Sequence, residues 1–282
     1  MLYPDAKTWR AAPRKSVLFF GMSGLGKTHV SDLLVQQGGW FHYSVDYRIG
    51  TSGMYRHIKD NLIAHAMRDP FLAEMLRTDT IYLEPNVHNH DLSAVAGYLG
   101  KPGDPARGGL PMAEYKRRQD QFRTAEIAAL KDTAAFMERA QSLYGYQNFI
   151  CDTGGSICEW IDPEDDNDPL LQELSQHCLL VWIKGDEAHS QELNRRFDIA
   201  PKPMAYQPEF LERIWNQYLC KNNTQEMDVD PDSFIRWTYA QALAHRQPRY
   251  AAMARHGVTV TADDIHSVTS AQDFDDLIAS KL

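Results

Sequence analysis

Residues 15 to 28 read Lys15-Ser-Val-Leu-Phe-Phe-Gly-Met-Ser-Gly-Leu-Gly-Lys-Thr28. An apolar run that ends at a glycine is typical of a buried parallel strand, and residues 28–36 have the pattern of a helix. The glycines between them allow backbone N–H groups to turn inward around phosphate oxygens, while the helix presents its positive end to the same anion. This strand, loop and helix predict a P-loop that binds a nucleoside triphosphate.

The P-loop motif predicts a separate role for each polar residue. The Lys27 ammonium is expected to reach the β- and γ-phosphates, and the Thr28 hydroxyl is expected to ligate Mg²⁺. ATP with Mg²⁺ is therefore the expected cofactor pair. The alternative is a chance match in a glycine-rich turn, which the flanking strand and helix argue against. The nucleotide-binding residues predicted from the motif are Gly21, Ser23, Gly24, Leu25, Gly26, Lys27, Thr28 and His29.

Strand and helix patterns alternate along most of the chain. The five predicted strands are residues 15–20, 40–45, 146–151, 178–183 and 258–261. The longest helical pattern covers residues 114–139, and two others cover 208–219 and 232–245. This alternation predicts one α/β domain over residues 1–282, a P-loop NTPase three-layer sandwich with a parallel five-stranded sheet. Ligands of such sheets bind at the carboxyl ends of the strands.

Residues 50–116 interrupt this alternation. They contain a helical part at 54–77 and a part rich in glycine and proline at 100–111. We interpret them as a helical and loop insertion that packs over or beside the acceptor site, with the second part as an ordered or mobile loop.

Two aspartates end predicted strands on the side where the P-loop lies. Asp46 is expected to orient an acceptor hydroxyl and to accept its proton during phosphoryl transfer, or else it caps the following helix. Asp152 ends an apolar strand, as a Walker B carboxylate does, and is expected to hold Mg²⁺ directly or through water. Gly154 and Gly155 then allow a bound molecule to approach the backbone, although an ordinary turn is the alternative.

Several cationic side chains are candidates for contacting phosphate or an anionic acceptor. Arg195 and Arg196 follow a predicted helix, and Lys202 comes soon after them. Cations on a closing segment neutralise charge on a transferred phosphoryl group, so residues 195–202 are interpreted as a lid with Lys202 as a catalytic residue. Arg123 and Arg246 are further candidates. Each of these side chains taken alone is also typical of a surface ion pair.

The composition argues against several other classes of protein. The chain has 29 Lys and Arg residues against 38 Asp and Glu residues, whereas a nucleic-acid binder usually has a basic face. No apolar run approaches the length of a membrane span, and the cysteines form no C-x-x-C pair. The His88-x-His90 pair is typical of a surface loop. We expect a cytoplasmic protein with a small-molecule acceptor and no nucleic-acid or membrane partner. The sequence does not specify the oligomeric state.

These motifs resemble, in their order along the chain, those of shikimate kinase and its relatives among the small-molecule P-loop kinases. Asp46-x-x-Ile49 is similar to the family's substrate motif, although Ser44 stands where its first aspartate would be. The other similar segments are the acceptor-binding helix Phe122-Arg123-Thr-Ala-Glu126-Ile-Ala-Ala-Leu130, the loop Thr153-Gly154-Gly155-Ser156, the lid Lys202-Pro203-Met204, and the carboxylate-binding helix Arg246-Gln-Pro-Arg-Tyr250-Ala-Ala-Met-Ala254. The substrate-binding residues that the resemblance implies are Asp46, Arg123, Glu126, Gly154, Gly155 and Arg246.

The resemblance implies an ATP-dependent phosphotransferase that acts on a hydroxylated, anionic metabolite. The insertion falls in the part of the family that forms the acceptor site, so an acceptor that differs from shikimate is expected. Two alternatives remain open at this point. One is a P-loop ATPase that acts as a nucleotide-dependent switch on a protein partner and transfers phosphate only to water. The other is a nucleotide-sugar kinase of the zeta-toxin type.

Overall fold

A computed structural model describes residues 1–89 and 91–282. The strands are β1 (Ser16–Phe20), β2 (Trp40–Ser44), β3 (Asn148–Asp152), β4 (Leu179–Lys184) and β5 (Val258–Thr261). They form one sheet of order β2-β3-β1-β4-β5, and every neighbouring pair is parallel. This order is typical of the P-loop NTPase fold. The predicted α/β class with a parallel five-stranded sheet is confirmed.

The described residues also form α-helices between and beyond these strands. They are α1 (Ala6–Ala11), α2 (Lys27–Gln37), α3 (Val45–Arg48), α4 (Tyr55–Ala66), α5 (Pro70–Arg77), α6 (Ser93–Leu99), α7 (Met112–Lys131), α8 (Thr133–Ser142), α9 (Ile157–Trp160), α10 (Pro169–His177), α11 (Glu187–Ile199), α12 (Pro208–Asn222), α13 (Pro231–Met253), α14 (Ala262–His266) and α15 (Ala271–Lys281). A π-helical turn covers Ile49–Gly53. None of the described helices has both the length and the apolar character needed to cross a membrane.

The chain forms two compact units, which are described separately. Unit 1 comprises Met1–Val45, Ala129–Pro201 and Arg236–Leu282, and it contains the whole sheet. Unit 2 comprises Asp46–Ala128 and Lys202–Ile235. Residues 50–116 all fall within unit 2. That they form an insertion over the acceptor site of a single domain stays a prediction.

The core of unit 1 is built on β1, which is buried at all of its positions. Successive side chains of a strand point to opposite faces of the sheet. Phe19 accordingly meets Phe274 of α15, with ring centroids 5.8 Å apart, and Phe20 meets Tyr250 of α13 at 6.1 Å. Helices therefore cover both faces of the sheet, which explains why β1 is apolar without alternation.

Unit 2 is helical, and a close backbone approach fixes one of its contacts. A Cβ atom placed on Gly53 in the π-helical turn would lie 2.5 Å from the Cβ atom of Ala125 in α7.

The side chain of Gln119 joins α7 to the segment that precedes α12. It donates to the carbonyl of Met204 at 2.9 Å and accepts from the N–H of Tyr206 at 3.0 Å. These contacts tie the two chain segments of unit 2 together.

The prediction of one continuous helix over residues 114–139 was wrong, because the structure has two helices there. The structure ends α7 at Lys131 and begins α8 at Thr133. Thr133 is buried, and its hydroxyl oxygen lies 3.7 Å from the sulfur of Cys151 in β3. The chain therefore turns at Asp132 so that α8 packs on the sheet. Neither glycine nor proline marks this break, so helical periodicity alone does not reveal it.

The helix predicted at residues 232–245 was too short, because α13 continues through Pro248 to Met253. A proline inside a helix removes one hydrogen bond and crowds the preceding turn. Contacts with other parts of unit 1 hold the helix on both sides of Pro248. Arg246 pairs with Glu159, Arg249 donates to the carbonyls of Cys158 and Ile161, and Tyr250 donates to the carbonyl of Gly155.

Candidate active site

The P-loop joins β1 to α2 and begins at a glycine whose backbone conformation and surroundings disfavour any side chain. Gly21 has a φ of 133°, and a Cβ atom there would lie 2.6 Å from the carbonyl oxygen of Ile183. The helix α2 starts at Lys27, a residue that is 7% exposed. Its ammonium donates to the carbonyls of Gly21 at 3.0 Å and Met22 at 2.9 Å. The charge is thus held against the loop predicted to bind phosphate, while His29 is exposed on α2.

The two predicted magnesium residues are in direct contact. The Thr28 hydroxyl donates to Oδ2 of Asp152 at 2.9 Å, because β1 and β3 are neighbours and Asp152 ends β3. Mg²⁺ prefers oxygen ligands such as carboxylates, so this pair fits the ion that the P-loop motif implies. Nε2 of His42 lies 3.6 Å from the same carboxylate oxygen. His42 was not among the predicted site residues. It is two residues before Ser44 on β2, so the two side chains are on the same face of the strand.

Asp152→Asn is expected to raise the Mg²⁺ concentration needed for half-maximal nucleotide binding by about tenfold or more, the cost of one charged contact. The asparagine oxygen can still accept from Thr28, so the fold should be retained while the negative charge is lost. The measurement is a Mg²⁺ titration of the binding of a fluorescent ATP analogue. Asp228→Asn, at an exposed position in unit 2, is the matched control. An unchanged Mg²⁺ requirement in Asp152→Asn would contradict the assignment.

Three further predicted residues of unit 1 lie close together: Gly154 and Gly155 in the loop after β3, and Arg246 on α13. A Cβ atom placed on Gly155 would lie 3.5 Å from Oγ of Ser23 and 3.7 Å from Nη1 of Arg246. Gly154 precedes Gly155 and is buried. The Tyr250 hydroxyl donates to the Gly155 carbonyl and contacts the sulfur of Met22 at 3.6 Å. The loop after β3 is therefore fixed beside the P-loop, with a guanidinium group next to it.

Arg246 forms a buried ion pair that the sequence analysis did not anticipate. Its Nε donates to Oε1 of Glu159 at 2.6 Å, and the two residues are 2% and 3% exposed. Burial by itself would raise the pKa of Glu159, but Arg246 and His245 hold this pKa below its ordinary value. Glu159 follows the Thr153–Ser156 loop on the short helix α9. A buried carboxylate requires a cation, but the sequence alone does not show that Glu159 is buried.

The predicted lid arginines lie within a helix, which corrects the prediction that they follow one. Arg195 and Arg196 are in the last turns of α11, and both donate to Glu192 at distances from 2.6 to 2.9 Å. The hydrogen bonds from Arg195 and Arg196 lower the pKa of Glu192 to about 2. Spacings of three and four residues on a helix favour such pairs. Both arginines are more than half exposed, so their ion pairs with Glu192 are weak. A phosphate group could therefore replace Glu192 as their partner.

The remaining candidates belong to unit 2. Asp46 lies in the first turn of α3, which begins at Val45. Arg123 pairs with Asp120 on α7 at 2.7 Å, Glu126 is fully buried on the same helix, and Lys202 is exposed. Their contact with an acceptor stays a prediction. His88 is exposed, and His90 lies outside the described residues.

Comparison with known proteins includes a distant structural similarity. No known protein family matches the sequence, and no curated protein matches it. The structure of shikimate kinase from Acinetobacter baumannii in complex with shikimate aligns with 98% of this chain and 97% of that chain, at 16% sequence identity and a TM-score of 0.36. A similarity at this level carries no argument about activity or individual residues.

Proposed function

We propose that the chain is an ATP- and Mg²⁺-dependent phosphotransferase of the shikimate kinase-like type, acting on a small hydroxylated and anionic metabolite. The observation that carries this proposal is the 2.9 Å hydrogen bond from Thr28 to Asp152. It joins the hydroxyl that ends the P-loop motif to a carboxylate at the end of the neighbouring strand. These are the two groups that hold Mg²⁺ beside the phosphates in P-loop proteins.

The residues of unit 1 would bind and orient the phosphate donor. Lys27 would exchange the carbonyls of Gly21 and Met22 for phosphate oxygens, and Thr28 and Asp152 would hold Mg²⁺. When bound, Mg²⁺ neutralises charge that develops on the transferred phosphoryl group. Phosphoryl transfer needs little covalent chemistry from the protein, so positioning and fixed charges account for most of the catalysis.

The acceptor is proposed to be anionic because the guanidinium group of Arg246 lies beside the loop that adjoins the P-loop. Nη1 of Arg246 is close to Gly155, which in turn is close to Ser23. Glu159 holds the guanidinium through Nε, so its position is set before any ligand binds. Asp46 is the proposed base. The acceptor oxygen would bond to the γ-phosphorus as the bond to the bridging oxygen breaks, and Asp46 would take the acceptor proton.

The test is an ADP-release assay with shikimate and a panel of anionic and neutral alcohols, together with a control that contains only water. We expect an anionic alcohol to raise ADP release well above the control, and the product to contain the transferred phosphate. If no alcohol raises the rate above the water control, the chain is an ATPase and not a kinase. A neutral alcohol as the best acceptor would overturn the anionic assignment.

Asp46→Asn is expected to lower transfer to the best acceptor by at least about tenfold, because the amide cannot accept the hydroxyl proton. ATP binding and background hydrolysis should change little, since Asp46 is not proposed to contact ATP. The measurement compares acceptor-dependent ADP release with binding of an ATP analogue by the same variant. Asp228→Asn serves as a matched surface control. Unaltered acceptor turnover in Asp46→Asn would remove Asp46 from the mechanism.

A further inference from the structure

A group of metal-binding side chains lies outside the residues proposed for phosphoryl transfer. One ligand atom from each of His189, Asp263 and His266, a ring nitrogen or a carboxylate oxygen, lies within 4.8 Å of the others. His189 is in the first turn of α11, and the other two side chains are on α14. All three residues belong to unit 1. Among the described residues, this is the group of three His, Cys, Asp or Glu side chains that could hold a metal ion. No step of the proposed phosphoryl transfer uses these three residues.

The imidazole of His189 is already oriented by a carboxylate. Oδ1 of Asp186 lies 2.7 Å from its Nδ1 and also accepts from its backbone N–H at 2.8 Å, which caps α11. Histidines that bind metals almost always use one ring nitrogen for such a carboxylate or carbonyl partner, and the partner orients the other nitrogen toward the ion. Within the described chain, the side chains of Asp263 and His266 have no hydrogen-bond or ion-pair partner and are exposed.

We propose that His189, Asp263 and His266 form a binding site for a divalent transition-metal ion of the Zn²⁺ class. Two imidazoles and one carboxylate are a donor set that favours Zn²⁺, whereas Mg²⁺ favours oxygen ligands alone. Asp186 acts as a positioning residue that holds the His189 ring. Three protein ligands leave coordination positions for water, as in zinc sites that are open to solvent.

The site borders the P-loop. Nε2 of His266 lies 3.8 Å from the position of a Cβ atom on Gly26, and Cδ2 of Leu193 lies 3.0 Å from the corresponding position on Gly24. Both helices that supply ligands therefore touch the loop. An ion bound here would join α11, which carries Arg195 and Arg196, to α14. The site nevertheless shares no residue with the Thr28–Asp152 pair, and the proposal holds whether or not the chain transfers phosphate to a metabolite.

The test uses the full chain without a histidine tag, stripped with a chelator and free of nucleotide. We expect Zn²⁺ to bind with one ion per chain at this site by calorimetry, and Co²⁺ to give visible absorption bands that Zn²⁺ removes. His189→Ala and His266→Ala should each weaken Zn²⁺ binding by about tenfold or more. Asp186→Asn keeps a good helix cap but loses the carboxylate, so it should weaken binding by about 10- to 100-fold with α11 intact.

Two control variants separate this site from other places where Zn²⁺ could bind. His65→Ala removes an exposed histidine from α4 in unit 2 and should leave Zn²⁺ affinity unchanged. Asp152→Asn removes the carboxylate near His42 and should leave the Co²⁺ bands unchanged. The proposal is overturned if Zn²⁺ and Co²⁺ do not bind saturably. It is equally overturned if binding survives His189→Ala and His266→Ala at full affinity in folded variants, as judged by circular dichroism.

Discussion

Lys27→Ala is expected to lower turnover by about 100-fold or more, the scale of removing one preorganised charge donor. The ammonium of Lys27 is buried and already held by the carbonyls of Gly21 and Met22, so it needs little reorganisation to meet a phosphate. Its loss removes an electrostatic attraction that becomes stronger in the transition state, as negative charge moves to the leaving oxygen. The measurement is kcat for ADP release at saturating ATP and acceptor.

Two controls make the Lys27 result interpretable. Truncation leaves two loop carbonyls without this donor, so the thermal unfolding of Lys27→Ala must be measured beside its kinetics. Lys27→Arg keeps the charge with a different geometry and should retain more activity than Lys27→Ala if charge is the dominant factor. Turnover of Lys27→Ala within about threefold of wild type would remove Lys27 from the catalytic step.

Arg246→Ala is expected to destabilise unit 1 by about 3–5 kcal/mol, because it removes the guanidinium that pairs with the buried carboxylate of Glu159. The pair is joined at 2.6 Å and both side chains are almost inaccessible to water. The double variant Arg246→Leu with Glu159→Leu should recover most of this loss, since it removes both charges. The measurement is the free energy of unfolding in urea for each single variant and for the double variant. A loss below about 1 kcal/mol in Arg246→Ala would show that the pair contributes no more than a surface contact.

The same pair has a predicted dependence on pH. The pKa of Glu159 is lowered in the folded state, so its contribution to stability is present at neutral pH. This contribution is lost as the pH falls through the folded-state pKa, because a protonated Glu159 no longer pairs with Arg246. The difference in melting temperature between wild type and Arg246→Ala should therefore shrink on acidification.

The positions of residues that follow a local pattern were predictable from the sequence, while their roles stay predictions. The P-loop needs only a strand, its glycines and a helix in succession, and β1 through α2 follows that order. Asp152 was predicted as a magnesium candidate because an aspartate at the end of an apolar strand is typical of a Walker B arrangement. The hydrogen bond from Thr28 to Asp152 agrees with that expectation, although binding of Mg²⁺ itself stays a prediction.

Residues whose roles depend on distant contacts were not predictable. Glu159 resembles any glutamate that follows a glycine loop until α13 brings Arg246 to it. Pro248 would end most helices, but the contacts of Arg246, Arg249 and Tyr250 with distant segments hold α13 on both sides of it. His189 is remote in sequence from Asp263 and His266, so no motif spacing joins them. In each case the deciding energy comes from a contact between segments, and one sequence carries no record of such contacts.

The order of the strands also has a consequence for how the chain is made on the ribosome. β1 emerges first, but its neighbours in the sheet are β3 and β4, and it never pairs with β2. Val17 pairs with Ile150, so 133 further residues (150 − 17) must be synthesised before the central strand has its first partner. At typical translation rates this takes on the order of ten seconds. Throughout that time the apolar segment Ser16–Phe20 is a natural target for chaperones that bind nascent chains.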